Sequence, residues 1–207
     1  MSSSESSPSS TVRRTGGVNL EPIMSAAEQA FAEQGFYGAS MRTIARSAGT
    51  SLSNLYNYFP SKDDLLLGVL ERANGMLETR IAGALAGAGP AATERLRAAV
   101  KAYVGFSVDH RQAAVVALSE FRYLHGDRRA QLVEARDRTQ AIFQKITRDG
   151  MASGEFSTRL ERDATRAVLL LCATVPNWYR ASGELTREKV AEMQADFALA
   201  IVGARRG

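Results

Sequence analysis

Apolar residues along this 207-residue chain recur three and four positions apart, and no stretch alternates Val, Ile, Thr or aromatic residues for long enough to make a strand. With 3.6 residues per helical turn, that spacing gathers apolar side chains onto one face of each segment, so the chain is predicted to be all-α. Turn signals divide the pattern into about nine helices. The first is expected over 20–34, with Asn19 as its cap, Pro22 in its first turn, Ile23, Ala27, Ala30 and Phe31 on one face, and Gly35 as its stop. Two short helices, 41–48 and 52–57, flank Gly49, Thr50 and Ser51. Pro60 then breaks the chain, and Ser61 caps a fourth helix over 62–81, whose Asp63 and Asp64 complement the positive end of its dipole. A loop is expected over the Ala/Gly/Pro-rich 82–92. Five helices follow, near 93–109, 112–124, 127–152, 160–182 and 187–204, the eighth in chain order kinked by Pro176. No fixed-period repeat is present, which disfavours a solenoid.

Composition removes several classes of function. Hydrophobic residues at 45% and charged residues at 23% suit a globular chain with one medium domain, or a small domain plus a larger one. Cys172 stands alone, which excludes an intramolecular disulfide and a cysteine-built zinc site. Residues 1–16 read as a disordered tail rather than a targeting peptide, and together these features predict a cytoplasmic protein. The longest apolar run, 167–173, falls well short of the ~20 residues of a membrane-crossing helix. No nucleophile with a base, no metal cluster and no phosphate loop can be assembled from the spacings. Gly83, Gly87 and Gly89 do not form a dinucleotide fingerprint, so neither catalysis nor a cofactor or metal is expected. His110 and His125 are each placed near a helix end, where the negative end of a dipole accounts for them.

The distribution of charge says more than its sum of +4. Residues 40–62 hold three basic side chains, Arg42, Arg46 and Lys62, and no acidic one. On a helical wheel Met41, Ile44, Ala45 and Ala48 face one way, while Arg42, Thr43, Arg46 and Ser47 face the other. In the next helix Leu52 and Leu55, continued by Phe59, oppose Ser53, Asn54, Asn57 and Tyr58. A short helix, a tight turn at Gly49 and a second short helix with a polar, acid-free outer face is the arrangement a helix-turn-helix uses to enter the major groove. Asn54 or Asn57 suits bidentate pairing with adenine, Ser51 and Ser53 offer short donors and acceptors, and the Tyr56 hydroxyl can reach a phosphate. Arg42 and Lys62 would supply sequence-blind charge, while Arg13 and Arg14 are read as an arm or as a solvated tail. A purely protein-binding helical adaptor is the competing reading, and the acid-free face weighs against it.

The run Gly35-Phe36-Tyr37-Gly38-Ala39-Ser40-Met41-Arg42-Thr43-Ile44-Ala45, then Ala48-Gly49-Thr50-Ser51, then Leu55-Tyr56-Asn57-Tyr58-Phe59-Pro60-Ser61-Lys62-Asp63-Asp64-Leu65 strongly resembles the tetracycline-repressor (TetR) family of bacterial transcription regulators. That resemblance implies a DNA-binding domain over 17–77 with its helix-turn-helix at 40–59, and DNA contacts from Arg42, Thr43, Ser51, Ser53, Asn54, Tyr56, Asn57, Tyr58 and Lys62. Thr50 departs from the usual apolar turn residue, and Asn54 and Tyr58 from common choices, so the operator sequence does not carry over. The resemblance further implies a helical effector-binding and dimerisation domain over 78–207, a homodimer on a pseudo-palindromic double-stranded operator, and a small-molecule effector. Asn177-Trp178-Tyr179 with Gly183-Glu184-Leu185-Thr186, and Glu120-Phe121-Arg122-Tyr123-Leu124 upstream, are similar to a subset that senses acyl-CoA or other CoA thioesters of lipid and sterol breakdown. Phe106, Phe121, Phe143, Cys172, Trp178 and Tyr179 are the candidate effector-lining residues, with plain core as the alternative for each.

Overall fold

A computed structural model describes residues 19–205; the predicted tail and the Arg13–Arg14 arm lie outside them. In chain order the helices are α1 (Glu21–Gly38), α2 (Met41–Ser47), α3 (Leu52–Tyr58), α4 (Lys62–Ala86), α5 (Ala92–Asp109), α6 (Arg111–Ser119), α7 (Gly126–Ser153), α8 (Glu161–Ala173), α9 (Val175–Trp178) and α10 (Arg187–Ile201), with a 3-10 turn at Glu120–Tyr123 between α6 and α7. Nine of them run to seven residues or more, and the described residues form no strand. None of these helices is long and apolar enough to cross a membrane.

Several boundaries differ from expectation. The first helix kinks at Gly35, its expected stop, and continues to Gly38, and α10 ends at Ile201 rather than at 204. Ala82, Ala84 and Ala86 favour helix, and Gly83 meets no neighbour, so α4 runs through the expected loop to Ala86. The sixth predicted helix tightens into the 3-10 turn. The predicted 160–182 helix divides rather than kinks: Thr174 turns its hydroxyl back onto the Leu170 and Leu171 carbonyls, and Pro176, lacking an N–H, starts the single turn of α9. The histidines divide as well. His110 ends α5, as expected, whereas His125 precedes the N-terminus of α7, where the dipole does not favour a cation.

Two buried cores share α4. Its first turns put Leu65, Leu66, Val69 and Leu70 into a core built with Phe31, Ile44, Leu55 and Phe59, while Ala73, Leu77 and Ile81 enter a second core with residues of α5, α7, α8 and α10. At 25 residues α4 is about 37 Å long, enough to serve both. Val116, Leu124 and Leu132, from the α6–α7 region, complete the first core rather than the second. On α10, Ala191 and Ala198 are buried within the monomer, as is Val202 at its C-cap, whereas Phe197 is exposed.

Candidate nucleic-acid interface

Hydroxyl caps build the reading unit. The Ser40 Oγ accepts the Thr43 N–H at 3.1 Å and starts α2, and the Thr43 hydroxyl donates to the Ser40 carbonyl at 3.0 Å. Gly49, at φ 66°, ends α2 in the left-handed conformation and lets the Thr50 N–H reach the Ala45 carbonyl. Ser51 then caps α3 through the Asn54 N–H at 3.1 Å. Met41, Ile44, Ala45 and Leu55 are buried, and Arg42, Arg46, Ser53, Tyr56 and Asn57 are exposed, as the wheels require. Among the described residues neither Arg42 nor Arg46 pairs with a carboxylate, so both charges face outward uncompensated.

Other predicted contacts have structural work as well. The Asn54 Nδ2 donates to the Thr50 hydroxyl at 2.8 Å, which joins two of the three departures from the family pattern in one hydrogen bond and orients the amide; its other N–H and its carbonyl stay unused. Tyr58 is half-buried against the first core. The Lys62 ammonium donates to the Phe36 carbonyl at 2.6 Å and the Ala39 carbonyl at 3.0 Å, and lies 4.4 Å from the centre of the Phe36 ring. One of its three N–H groups is left for a phosphate.

Phe36 is held from the other side too. Gly35, at φ 69°, kinks α1 and leaves the Phe36 N–H without a helical acceptor; the buried Glu120 takes it at 2.7 Å. Tyr123 stacks on the Phe36 ring at 5.4 Å. In the first turn of α7, Arg128 pairs with Asp64 at 2.7 Å in the capped first turn of α4. Burial pushes the Asp64 carboxyl up, but bonds from Arg128 and Ser61 outweigh it and hold the group below its ordinary value. The 3-10 turn and the start of α7 thereby grip both ends of the reading unit's support.

Phe121, between Glu120 and Tyr123, faces a cavity of ≈ 430 Å³ bounded by α4, α5, α7 and α8, and a smaller recess beside Phe106 adjoins it. Of the six aromatic and thiol candidates, these two line the space. Phe143 and Cys172 are instead buried in the second core, where burial raises the Cys172 thiol well above its ordinary value. Trp178 is half-exposed on α9, and Tyr179 packs against the second core; neither lines the cavity, because the break at Thr174 carries that segment away from it. Sequence reasoning does not single out Glu120, Arg128, Arg129 or Arg136 as site residues. A lone acid after the apolar 113–118 segment, and two arginines seven apart around Leu132, are the signals that point to them.

Residues 23–69 match the family described as bacterial regulatory proteins, tetR family, and residues 89–202 match the tetracyclin repressor-like C-terminal domain. The chain belongs to the TetR family. As a TetR-family protein it is a DNA-binding transcriptional regulator, and the matched N-terminal region includes α2 and α3. The HTH-type transcriptional regulator HbdR of Aromatoleum sp. (strain CIB) is 35% identical over 132 residues, 64% of this chain and 57% of that regulator's length. A tetR-family regulatory protein from Rhodococcus RHA1 superposes with a TM-score of 0.83 at 27% identity, over 89% of this chain and 97% of that one. The fold is also that of AibR in complex with isovaleryl coenzyme A and operator DNA, with a TM-score of 0.78 at 18% identity over 88% and 97% of the two chains.

Proposed function

We propose that this TetR-family regulator is a cytoplasmic homodimeric repressor that docks on a pseudo-palindromic operator, one α3 in each of two successive major grooves, and lets go when a small apolar or CoA-linked effector fills the cavity. Ser53, Asn54 and Asn57 read base edges; Arg42, Thr43, Ser51, Tyr56, Tyr58 and Lys62 hold the backbone and set register. The carrying observation is the 3-10 turn at Glu120–Tyr123, which lends Phe121 to the cavity and Glu120 and Tyr123 to Phe36, whose carbonyl in turn anchors Lys62. An effector that moves Phe121 therefore acts on the support of the reading helix. Release needs unequal affinity: the effector must bind the form with displaced Phe121 more tightly than the DNA-bound form.

Exposed Leu170 on α8 and Phe197 on α10, 60% and 52% accessible, support pairing of those helices with a second copy. AibR holding both a CoA thioester and DNA on this fold supports the effector class. The test is fluorescence anisotropy of the purified chain with duplexes from its own upstream region, alone and with a panel of acids and CoA thioesters, alongside sedimentation for mass. The expected result is a dimer that binds one palindromic fragment and is released by one class of ligand. A monomer, or affinity equal for all sequences, rejects the proposal.

A further inference from the structure

The polarity of the cavity, taken as the effector site on the reading just proposed, restricts its occupant further than its volume does. Its walls are largely apolar, with Leu77, Leu118, Leu132 and Leu169 prominent. Its charged residues are three arginines, Arg129, Arg136 and Arg166, and one carboxylate, Asp137, beside the uncharged polar Asn74, Tyr103, Thr139 and Gln140. Two of the guanidiniums converge on one ring: Arg136 lies 4.6 Å and Arg129 5.5 Å from the centre of Phe121. Neither is paired with a carboxylate within 4.0 Å among the described residues, whereas Arg166 meets Asp163 at 3.5 Å. Like charges held against one aromatic ring and left without a counter-ion form a site for an anion, and guanidiniums bind carboxylate and phosphate oxygens in a fork.

A second, independent observation lies deeper. Thr139, which lines the main cavity, and Ser107, which lines the adjoining recess, carry buried hydroxyls with no hydrogen-bond partner among the described residues. A helical Ser or Thr ordinarily satisfies itself on the carbonyl four residues back, as Thr147 of the same α7 does on Phe143 at 3.0 Å. Thr139 and Ser107 do not. Buried polar groups without partners are rare in native proteins, and two of them lining one connected space mark where a ligand's own polar atoms arrive.

We infer that the cavity takes an amphipathic anion of a particular pattern: an acidic group at the rim between Arg129 and Arg136, and an apolar body carrying a hydroxyl or carbonyl oxygen that meets Thr139 and Ser107. A plain saturated chain leaves both hydroxyls orphaned, and a neutral molecule leaves both guanidiniums without an anion. The acidic group can be a free carboxylate or the phosphates of a thioester carrier, since the same fork receives either.

The test is isothermal titration of the full-length protein with matched probes: octan-1-ol, octanoate, 3-hydroxyoctanoate, and the coenzyme A thioesters of the two acids. The acids or their thioesters are expected to bind at least tenfold more tightly than the alcohol, and the hydroxylated member of the better-binding pair several-fold more tightly than its parent. The free acids against the thioesters separate the two sources of charge. Replacing Arg129→Gln together with Arg136→Gln should erase the preference for charge and keep that for the hydroxyl; Thr139→Val with Ser107→Ala should do the reverse, with helical content checked in both. Equal binding of alcohol and acid, an undiminished anion preference in the arginine variant, or no binding by any probe overturns the inference. Tight binding without release of DNA keeps the anion site and removes the effector role.

Discussion

Replacing Glu120 by Ala removes the side-chain acceptor of the Phe36 N–H. Glu120 is 5% exposed, its bond to that N–H is 2.7 Å long, and Phe36 itself is buried between Lys62, Tyr123 and Phe31. The kink at Gly35 has already taken the N–H out of the α1 ladder, and the Phe31 and Tyr123 rings both stack on the Phe36 ring. Leaving a buried donor unpaired costs about 1–3 kcal/mol. Losing the one methylene beyond Cβ adds about 0.8 kcal/mol where packing closes only in part. A loss of about 2–4 kcal/mol is therefore expected, a fall in Tm of roughly 4–16 °C for a chain of this size. Glu120→Gln keeps a carbonyl acceptor and should lose less than half as much. Urea denaturation of parent, Ala and Gln forms reads the ordering. An Ala form within about 0.5 kcal/mol of the parent, inside the usual range for inconsequential surface changes, refutes the reasoning, and so does a Gln form less stable than the Ala form.

Arg42→Ala should weaken binding to every duplex alike and lower the salt slope by about one per subunit, read by anisotropy across a salt series. Thr50→Val frees the Asn54 amide from its hydroxyl acceptor and should change base preference at one symmetric operator position, measured by selection from a randomised duplex library, with affinity for other positions kept. Gly49→Val forces a β-branched side chain into φ 66° and should cost about 1–2 kcal/mol or more and loosen DNA binding with it, read by denaturation and anisotropy side by side. The Glu155 carboxyl accepts the Thr93 and Ala92 N–H groups at the start of α5, and those bonds hold it below its ordinary value of 4.5. Its stabilising contribution is complete above that value and is lost as the pH falls through the lower, folded one. The stability gap between the parent and Glu155→Gln, open at neutral pH, should therefore close on acidification in a denaturation series.

The helix-turn-helix is legible in the sequence because everything that forms it is local. Ser40, Ser51 and Ser61 cap the helices they precede, Gly49 supplies the positive φ of the turn, and the wheel separates Ile44 and Leu55 from Arg42 and Asn57. The cavity is not legible in this way, since its parts come from helices far apart in the chain and an aromatic on an apolar face looks the same whether it meets a neighbour or a void. Phe121 and Phe143 carry the same local signal, yet one borders the cavity and the other packs edge-on to Tyr103. Arg129 and Arg136 are exposed on α7, and nothing in their local sequence shows that both guanidiniums lie against Phe121. Thr50 and Asn54 look like two separate deviations along the chain; as i and i+4 partners across a cap they are one.

Because Val116, Leu124 and Leu132 close the core beneath α1 to α4, a fragment ending near residue 77 would present that core to water on one side. Chimeras that graft this reading head onto another sensor must therefore carry over, or rebuild, the patch at the α6–α7 corner.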